Sequence, residues 1–445
     1  MLKSRFCLPK LKKILLVALL AATVTYNPGA VEKVNTTSGK LVPDNLRLIN
    51  DRSEGGEYFS VEKSIRTFMH RWSITGASVA ISKNGKLIYA RGFGFADTLT
   101  REDIQPYHKF RIASISKLVT AVAIMKLAEE GRLSLNDKVF GENAILNDPY
   151  FSNPKDERAY DITVAHLLSH EAGWSQRWGD QMFMPLTIAD QMGAELPVDT
   201  KTIIRFALDK RLHFTPGTGR AYSNLGYAIL GLVIEKVAGM TYDQYCKKSV
   251  LEPLGIFDMT LAHNLPDRKA PFEVTYYEPS DVLPKLSIYG TGELLAPSYG
   301  GNDIEALGAA GAWLATAPDL LRLLLAVDGF DSPPDILSPL SISLMTDNYK
   351  GLAPAGWKTT MENGTWWRTG SFPGTAGMMK RQQNGTAWVV LFNSSAWNGP
   401  EIHSYISDLM NRVAQNLKAA PDFDLFAYSL PVPLASGNDD ELFFR

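Results

Sequence analysis

Ser114 and Lys117 have the types and the spacing for acyl transfer. They stand in Phe110-Arg111-Ile112-Ala113-Ser114-Ile115-Ser116-Lys117, where a short polar residue opens a long apolar-periodic segment. If a helix starts near Ser114, residues three apart share a face and are separated by about 4.5 Å of rise. The Lys117 amine then stands above the Ser114 hydroxyl, with both at the positive end of the helix dipole. An amine partly withdrawn from water, beside a dipole of its own sign, loses its proton more readily than its reference pKa of ~10.4 implies. A neutral amine beside a hydroxyl is a base beside a nucleophile. Taken alone, S-x-x-K is a weak signal, because Ser is also a common helix cap. Its weight comes from other polar groups further along the chain.

The next such group is Tyr222-Ser223-Asn224, which follows Phe214-Thr215-Pro216-Gly217 and precedes a strongly apolar run, Tyr227 to Val237. Pro and Gly force a turn here, so Tyr222 and Asn224 are expected on a loop pinned before a buried helix. Polar residues on rigidly held loops are where function concentrates. The structural alternative makes Tyr222 a buried aromatic and Asn224 a helix cap. A third group, Arg368-Thr369-Gly370-Ser371, ends a strand-like stretch that begins at Thr365. His166 and His170 are four apart but lack the acidic residue of H-E-x-x-H, so they read as packed or capping histidines. Between Trp174 and Leu212 the chain is rich in Met, Trp and Gln, which suits either a substrate wall or ordinary packing.

The elements that must position these residues follow from periodicity. Phe59, Ile65, Phe68, Met69 and Trp72 predict a helix near residues 58–72. Two apolar runs flanking Asn84-Gly85 predict a β-hairpin, and Asn384-Gly385 predicts another between Ala376–Lys380 and Thr386–Phe392. Leu118, Val122, Met125 and Ala128 form a stripe after Ser114, stopped by Gly131. Pro318-Asp319 opens a further apolar helix, and Ile402, Tyr405, Ile406, Leu409 and Val413 make a last amphipathic one. Strands at both ends and helices between them predict an α+β fold. It has one antiparallel sheet flanked by the N- and C-terminal helices, with a helix-rich second lobe over about residues 114–325.

The bulk composition sets limits. The chain has 445 residues, 45% hydrophobic and 21% charged, with a net charge of −2. That balance describes a globular protein with a large core and argues against a nucleic-acid surface. Cys7 and Cys246 are too far apart in sequence for a C-x-x-C site, so metal ligation would have to come from His and carboxylates; the expectation is no metal and no cofactor. Lys3, Arg5, Lys10, Lys12 and Lys13 precede an apolar run from Ile14 to Val24, and no acidic residue appears before Glu32. This reads as a secretory signal over residues 1–26, followed by a linker over 27–57. The run is short for a membrane span, which needs about 20 residues, although an uncleaved segment would anchor the protein to a membrane. The expectation is a secreted or periplasmic protein with its folded domain over residues 58–418 and a tail over 419–445.

Ser114-Ile115-Ser116-Lys117, Tyr222-Ser223-Asn224 and Arg368-Thr369-Gly370 together resemble the serine β-lactamase and penicillin-binding-protein superfamily. The closest branch holds class C β-lactamases, D-alanyl-D-alanine carboxypeptidases, D-aminopeptidases and family VIII esterases. The resemblance also takes in Ile162 to His170, Pro216-Gly217, Asn224 to Tyr227 and Gly370-Ser371-Phe372-Pro373-Gly374. It implies that Ser114 is the nucleophile, Lys117 its base, and Tyr222 a partner acid/base. It further implies that Asn224 bonds substrate or Lys117, and that the backbone N–H groups of Ser114 and Ser371 form the oxyanion hole. Thr369 and Gly370 would line the strand edge along which a small-molecule or peptide substrate lies. The pattern usually has Lys or His where this chain has Arg368, which could bind an acidic substrate group in two-pronged fashion but cannot shuttle a proton.

Two other classes compete. An α/β-hydrolase needs G-x-S-x-G, and the nearest match, Ala296-Pro297-Ser298-Tyr299-Gly300, lacks the strand-to-helix context. A catalytically weak penicillin-binding or scaffold module would keep the fold without the turnover.

Overall fold

A computed structural model describes residues 47–53, 58–177, 179–347, 354–395, 401–417 and 423–428. The expected signal segment, most of the linker and the end of the tail lie outside the described residues. A seven-stranded antiparallel sheet holds the strands predicted at both ends of the chain. Its strands are β1 (Gly76–Lys83), β2 (Lys86–Asp97), β3 (Glu102–Asp103), β9 (Thr359–Thr360), β10 (Trp366–Phe372), β11 (Thr375–Arg381) and β12 (Thr386–Phe392), in the order β3-β2-β1-β12-β11-β10-β9. A three-stranded sheet joins β4 (Phe110–Arg111) and β5 (Thr260–Leu261) to β8 (Trp313–Ala315), and β6 (Lys285–Leu286) pairs with β7 (Leu294–Leu295).

The hairpin at Asn84-Gly85 forms as predicted, with both residues at positive φ (49° and 78°), the geometry that matches the twist of the flanking strands. At Asn384-Gly385 only the glycine is at positive φ, so the strands stop earlier and residues 382–385 make a longer loop. The two turns meet, the Asn84 N–H donating to the Gly385 carbonyl at 2.8 Å.

Both faces of the large sheet are covered, and alternate residues enter different cores. Val79, Ile81, Val390 and Phe392 pack under α1 (Phe59–Arg71) and α11 (Ile402–Asn416), the two terminal helices. Ala80, Val389 and Leu391 face the larger core of the helical lobe. That lobe comprises α2 (Ser116–Glu129), α3 (Val164–Leu168), α4 (Pro185–Met192), α5 (Thr200–Leu208), α6 (Asn224–Ala238), α7 (Tyr242–Cys246), α8 (Ile304–Leu307), α9 (Ala317–Leu325) and α10 (Pro339–Thr346). The apolar stripe read on α2 is wider than the sequence pattern implies. Val119, Ala121, Ala123 and Ile124 are as buried as Leu118 and Val122, so α2 runs through the core rather than along its surface.

Short segments on either side of the expected domain dock on the edge of β2. Asn50 Oδ1 and Ser53 Oγ accept from the N–H groups of Gly92 and Ala90, at 2.7 and 3.1 Å. Asp424 Oδ1 accepts from the Leu87 N–H at 3.0 Å. These side chains satisfy edge groups that no strand covers.

Candidate active site

Ser114 stands on a tight 3₁₀ turn, Ala113–Ile115, and Lys117 is the second residue of α2. The turn begins with Ala113 at φ 46°, a left-handed conformation that costs a residue with a Cβ about 1–2 kcal/mol. Surrounding bonds hold it there. The Ile112 N–H donates to the Trp313 carbonyl at 3.0 Å, and Thr375 Oγ1 donates to the Arg111 carbonyl at 2.9 Å. A rigid, strained turn presents the hydroxyl at one place.

Lys117 is wholly buried. Its Nζ donates to the Ala310 carbonyl at 2.6 Å, to Asn224 Oδ1 at 2.7 Å and to Ser114 Oγ at 3.5 Å. Its charge also lies over the rings of Tyr222 and Tyr227. Among the described residues no carboxylate ion-pairs with it. Burial therefore dominates and lowers its pKa to about 8, helped by the Arg368 charge and opposed by Tyr222 and by Asp180. The direction agrees with the sequence reading, but desolvation rather than the helix dipole is the main cause.

Tyr222 and Asn224 reach the same point from the loop before α6. Ser223, not Asn224, caps that helix, its Oγ accepting from the Gly226 N–H at 3.1 Å. Asn224 is thereby released to face Lys117 from the first turn. The loop is tied down by Ala221, whose N–H donates to the His170 carbonyl at 2.9 Å. Tyr222 is not a buried core aromatic. Its residue is 39% exposed, while its hydroxyl points inward, 2.7 Å from Ser114 Oγ, and donates to Asn224 Oδ1 at 3.2 Å. Desolvation pushes that hydroxyl up, but the charges of Lys117 and Arg368 outweigh it and bring it down to about 8. Hydroxyl, phenol and amine thus form one hydrogen-bonded group able to pass a proton.

The third motif comes from β10. Beyond Trp366 and Trp367, which pair with β9, the outer edge of this strand has no partner strand among the described residues and runs beside the Ser114 turn. Gly370 permits the close approach, since a Cβ there would collide with the Ile112 carbonyl. Gly370 thus packs on the turn that presents Ser114, a more specific task than lining an edge. Thr369 is buried and Ser371 is exposed at the end of the edge.

Arg368 has partners that the sequence reading did not expect. Its side chain is buried, with Nε donating to the Ser114 carbonyl at 2.7 Å and one terminal nitrogen donating to the Trp357 carbonyl at 3.2 Å. The other terminal nitrogen lies 3.4 Å from the Tyr222 hydroxyl. The guanidinium is turned into the protein beneath the nucleophile, away from the position of a reader of acidic substrates. Neither does it stack on its neighbouring tryptophans; Trp366 carries Arg381 instead, at 4.3 Å.

The two histidines pack and cap. His166 closes a capping box with Thr163 at the start of α3. His170 lies past the end of that helix at φ 61°, its ring against those of Tyr222 and Tyr227. Burial, reinforced by the charges of Arg368 and Lys117, holds His170 well below its ordinary pKa, so it is neutral near pH 7. Among the described residues no group of three or more His, Cys, Asp or Glu side chains is placed to hold a metal.

Two contributors escaped the sequence reading. The Ala310 carbonyl belongs to the turn Gly308–Ala310 before β8, and no side-chain pattern marks a carbonyl. Asn224 Nδ2 donates to Asp180 at 2.6 Å, yet in sequence Asp180 is one of five acids between Trp174 and Leu212, with nothing to single it out.

Comparison with known proteins converges on one family. A family model described as Beta-lactamase matches residues 61–408. Protein flp of Staphylococcus aureus (strain N315) is 32% identical over 213 residues, which is 47% of this chain and 38% of that protein. Penicillin-binding protein 4* of Bacillus subtilis (strain 168) is 29% identical over 202 residues, 45% of this chain and 40% of its own length. The chain thus spans less than half the length of these curated relatives. Among solved structures, the octameric penicillin-binding protein homologue from Pyrococcus abyssi superposes with a TM-score of 0.61 at 27% identity, over 83% of this chain and 79% of that one. EstCE1, a hydrolase with promiscuous acyltransferase activity, gives 0.61 at 23% identity over 82% and 98%. D-amino acid amidase from Ochrobactrum anthropi SV3 gives 0.60 at 20% identity over 82% and 99%; like EstCE1, it shares the fold alone. Since the matched stretch runs from α1 into α11 and takes in Ser114, Lys117, Tyr222, Asn224 and Arg368 alike, the chain belongs to the Beta-lactamase family, within the superfamily of serine β-lactamases and penicillin-binding proteins.

Proposed function

We propose that this protein is a serine hydrolase that forms an acyl-enzyme on Ser114 and prefers an ester or an amide, including a D-amino-acid amide or peptide, over a β-lactam. The observation that carries the reading is the wholly buried Lys117, 3.5 Å from Ser114 Oγ and without an acidic partner among the described residues. In the first step the neutral amine takes the Ser114 proton, directly or through the Tyr222 hydroxyl, as Oγ attacks the substrate carbonyl carbon. The carbonyl electron pair moves to oxygen, where the N–H groups of Ser114 and Ser371 receive it. Each such donor is typically worth ~10²–10³ in rate. The tetrahedral centre collapses, the bond to the leaving group breaks, and Tyr222 supplies the leaving group's proton and is resupplied by Lys117. In the second step water gives its proton to the same pair and attacks the ester, releasing acid and restoring Ser114.

The preference over a β-lactam rests on Arg368, which serves as a strut for the Ser114 carbonyl and a fixed charge beside Tyr222. With Nε and one terminal nitrogen bonded to main-chain carbonyls and the other beside the Tyr222 hydroxyl, it is a poor reader of the carboxylate that a β-lactam presents. The substrate lies along the open edge at residues 368–372, where an extended chain can pair with the strand. The basic and then apolar N-terminal residues support export of the enzyme to the periplasm or beyond.

Incubation with a fluorophosphonate, p-nitrophenyl acetate and a penicillin, followed by intact-mass analysis and peptide mapping, tests the reading. Label on Ser114 that vanishes in Ser114→Ala supports it. Label elsewhere, or full ester turnover by that variant, removes it. A penicillin adduct that persists without turnover favours the penicillin-binding alternative. Arg368→Ala is expected to slow anionic and neutral esters equally, and a selective loss for anionic ones would restore Arg368 as a substrate reader.

A further inference from the structure

Asn224 sits between two groups of opposite hydrogen-bonding character. On one side its Oδ1 accepts from Lys117 Nζ at 2.7 Å and from the Tyr222 hydroxyl at 3.2 Å. On the other its Nδ2 donates to Asp180 Oδ2 at 2.6 Å. An ammonium only donates and a carboxylate only accepts, so just one of the two amide orientations related by a half turn satisfies both neighbours. Asp180 is itself fixed. It caps the 3₁₀ turn Gln181–Phe183, its Oδ1 accepting from the Met182 N–H at 3.1 Å, and its Oδ2 also accepts from Gln176 Nε2 at 2.8 Å. Phe183, on the same turn, packs its ring against Phe372 beside Ser371.

We infer that Asp180 is a positioning residue for the acylation step: it locks the Asn224 amide with its oxygen toward Lys117, which holds the amine in register with Ser114. It touches none of the reacting atoms and acts through Asn224. The inference rests on the acyl-enzyme reading above. The charged and titratable groups facing Lys117 are Tyr222 from the loop before α6, Tyr227 from α6, Arg368 from β10, His170 from beyond α3 and Asp180 from its turn. Asp180 is the one carboxylate among them, and its charge, like that of an ionised Tyr222, favours the protonated amine. Neutralising it lets Lys117 lose its proton at lower pH. Removing its oxygens lets the amide swing its nitrogen toward the ammonium, where donor meets donor.

Two variants separate position from charge. Asp180→Asn keeps an oxygen that can accept from Asn224 and loses the charge; Asp180→Ala loses both. The readout is the rate of Ser114 labelling by a fluorophosphonate as a function of pH, with the modified residue mapped in each variant. The acid limb of both profiles is expected at lower pH than in the unaltered protein. The plateau rate is expected to fall about 10–100-fold in Asp180→Ala, with Asp180→Asn recovering most of that loss. A limb that stays in place in both variants overturns the inference, whatever happens to the plateau, since a merely structural acid would lower rate and melting temperature together without moving it. Equal plateau losses in the two variants also overturn it. If the unaltered protein is labelled away from Ser114, the acyl-enzyme reading fails and this inference fails with it. Label on Ser114 with an unmoved limb removes the inference alone.

Discussion

Arg111 and Lys117 lie on either side of the Ser114 turn, both buried, and the protein treats them in opposite ways. Arg111 is embedded among fixed partners. Its terminal nitrogens donate to the carbonyls of Ser298 and His263 at 2.5 and 2.6 Å, its Nε lies 3.5 Å from Glu273 Oε1, and Tyr276 and Tyr299 present their ring faces. The Tyr276 hydroxyl donates in turn to Glu273 and accepts from the Arg111 N–H. Among the described residues Lys117 has an amide oxygen, a carbonyl and a hydroxyl, but no carboxylate, within bonding distance. A guanidinium facing a carboxylate stays charged and braces the strand before the nucleophile. An ammonium given only neutral acceptors is stabilised enough to be buried but holds its proton less tightly, so the neutral amine that can act as a base becomes available around pH 8. The difference lies in the side chain as much as in its partners, since a guanidinium keeps its proton whichever acceptors it meets and a buried ammonium does not.

The comparison can be broken at its strongest point first. Ser114→Ala removes the group that Lys117 serves, and acylation measured by mass is expected to fall by up to ~10⁶ with the fold unchanged by circular dichroism. Lys117→Arg makes the second cation resemble the first, permanently charged, and should cost ~10²–10⁴ in kcat/KM at every pH. Glu273→Ala works in the other direction. It strands the Arg111 charge and is expected to cost about 3–5 kcal/mol in denaturant unfolding, while any folded enzyme keeps its pH profile.

A finer test places an acid beside the base. In the unaltered protein, acylation should rise with pH as Lys117 loses its proton around pH 8. Asn224→Asp adds negative charge against Nζ, favours the protonated amine and should move that limb upward by about 1 unit or more. A limb that moves down would contradict the electrostatic account. The smallest effect is expected at the far end of α2. Gly131 has φ 67° and open space around it, so Gly131→Ala should cost only ~1–2 kcal/mol from backbone strain and leave the rate alone.

Several features were legible because they depend on neighbours in sequence. The Asn84-Gly85 turn, the terminal helices and the helix after Ser114 all appear where periodicity predicts them. Features that depend on distant segments were not legible. Nothing local shows that Ser223 caps α6 and releases Asn224, because Ser and Asn are about equally good caps. Nothing local shows that the Arg368 guanidinium turns beneath Ser114, because a strand residue's neighbours are set by what the sheet packs against. Asp180 became meaningful only when folding set its carboxylate against the Asn224 amide.

Sequence alone determined the secondary elements, the antiparallel sheet built from both ends of the chain, and the three motifs that mark the superfamily, since residue type, spacing and turn chemistry act over a few residues. Tertiary structure decided which amine becomes a base and which cation stays a strut. For Lys117 that outcome depends on the water excluded from it and on the neutral acceptors Asn224 and Ala310, which are supplied by segments brought from far along the chain. Arg111 keeps its charge by its own chemistry, and Glu273 only fixes its place.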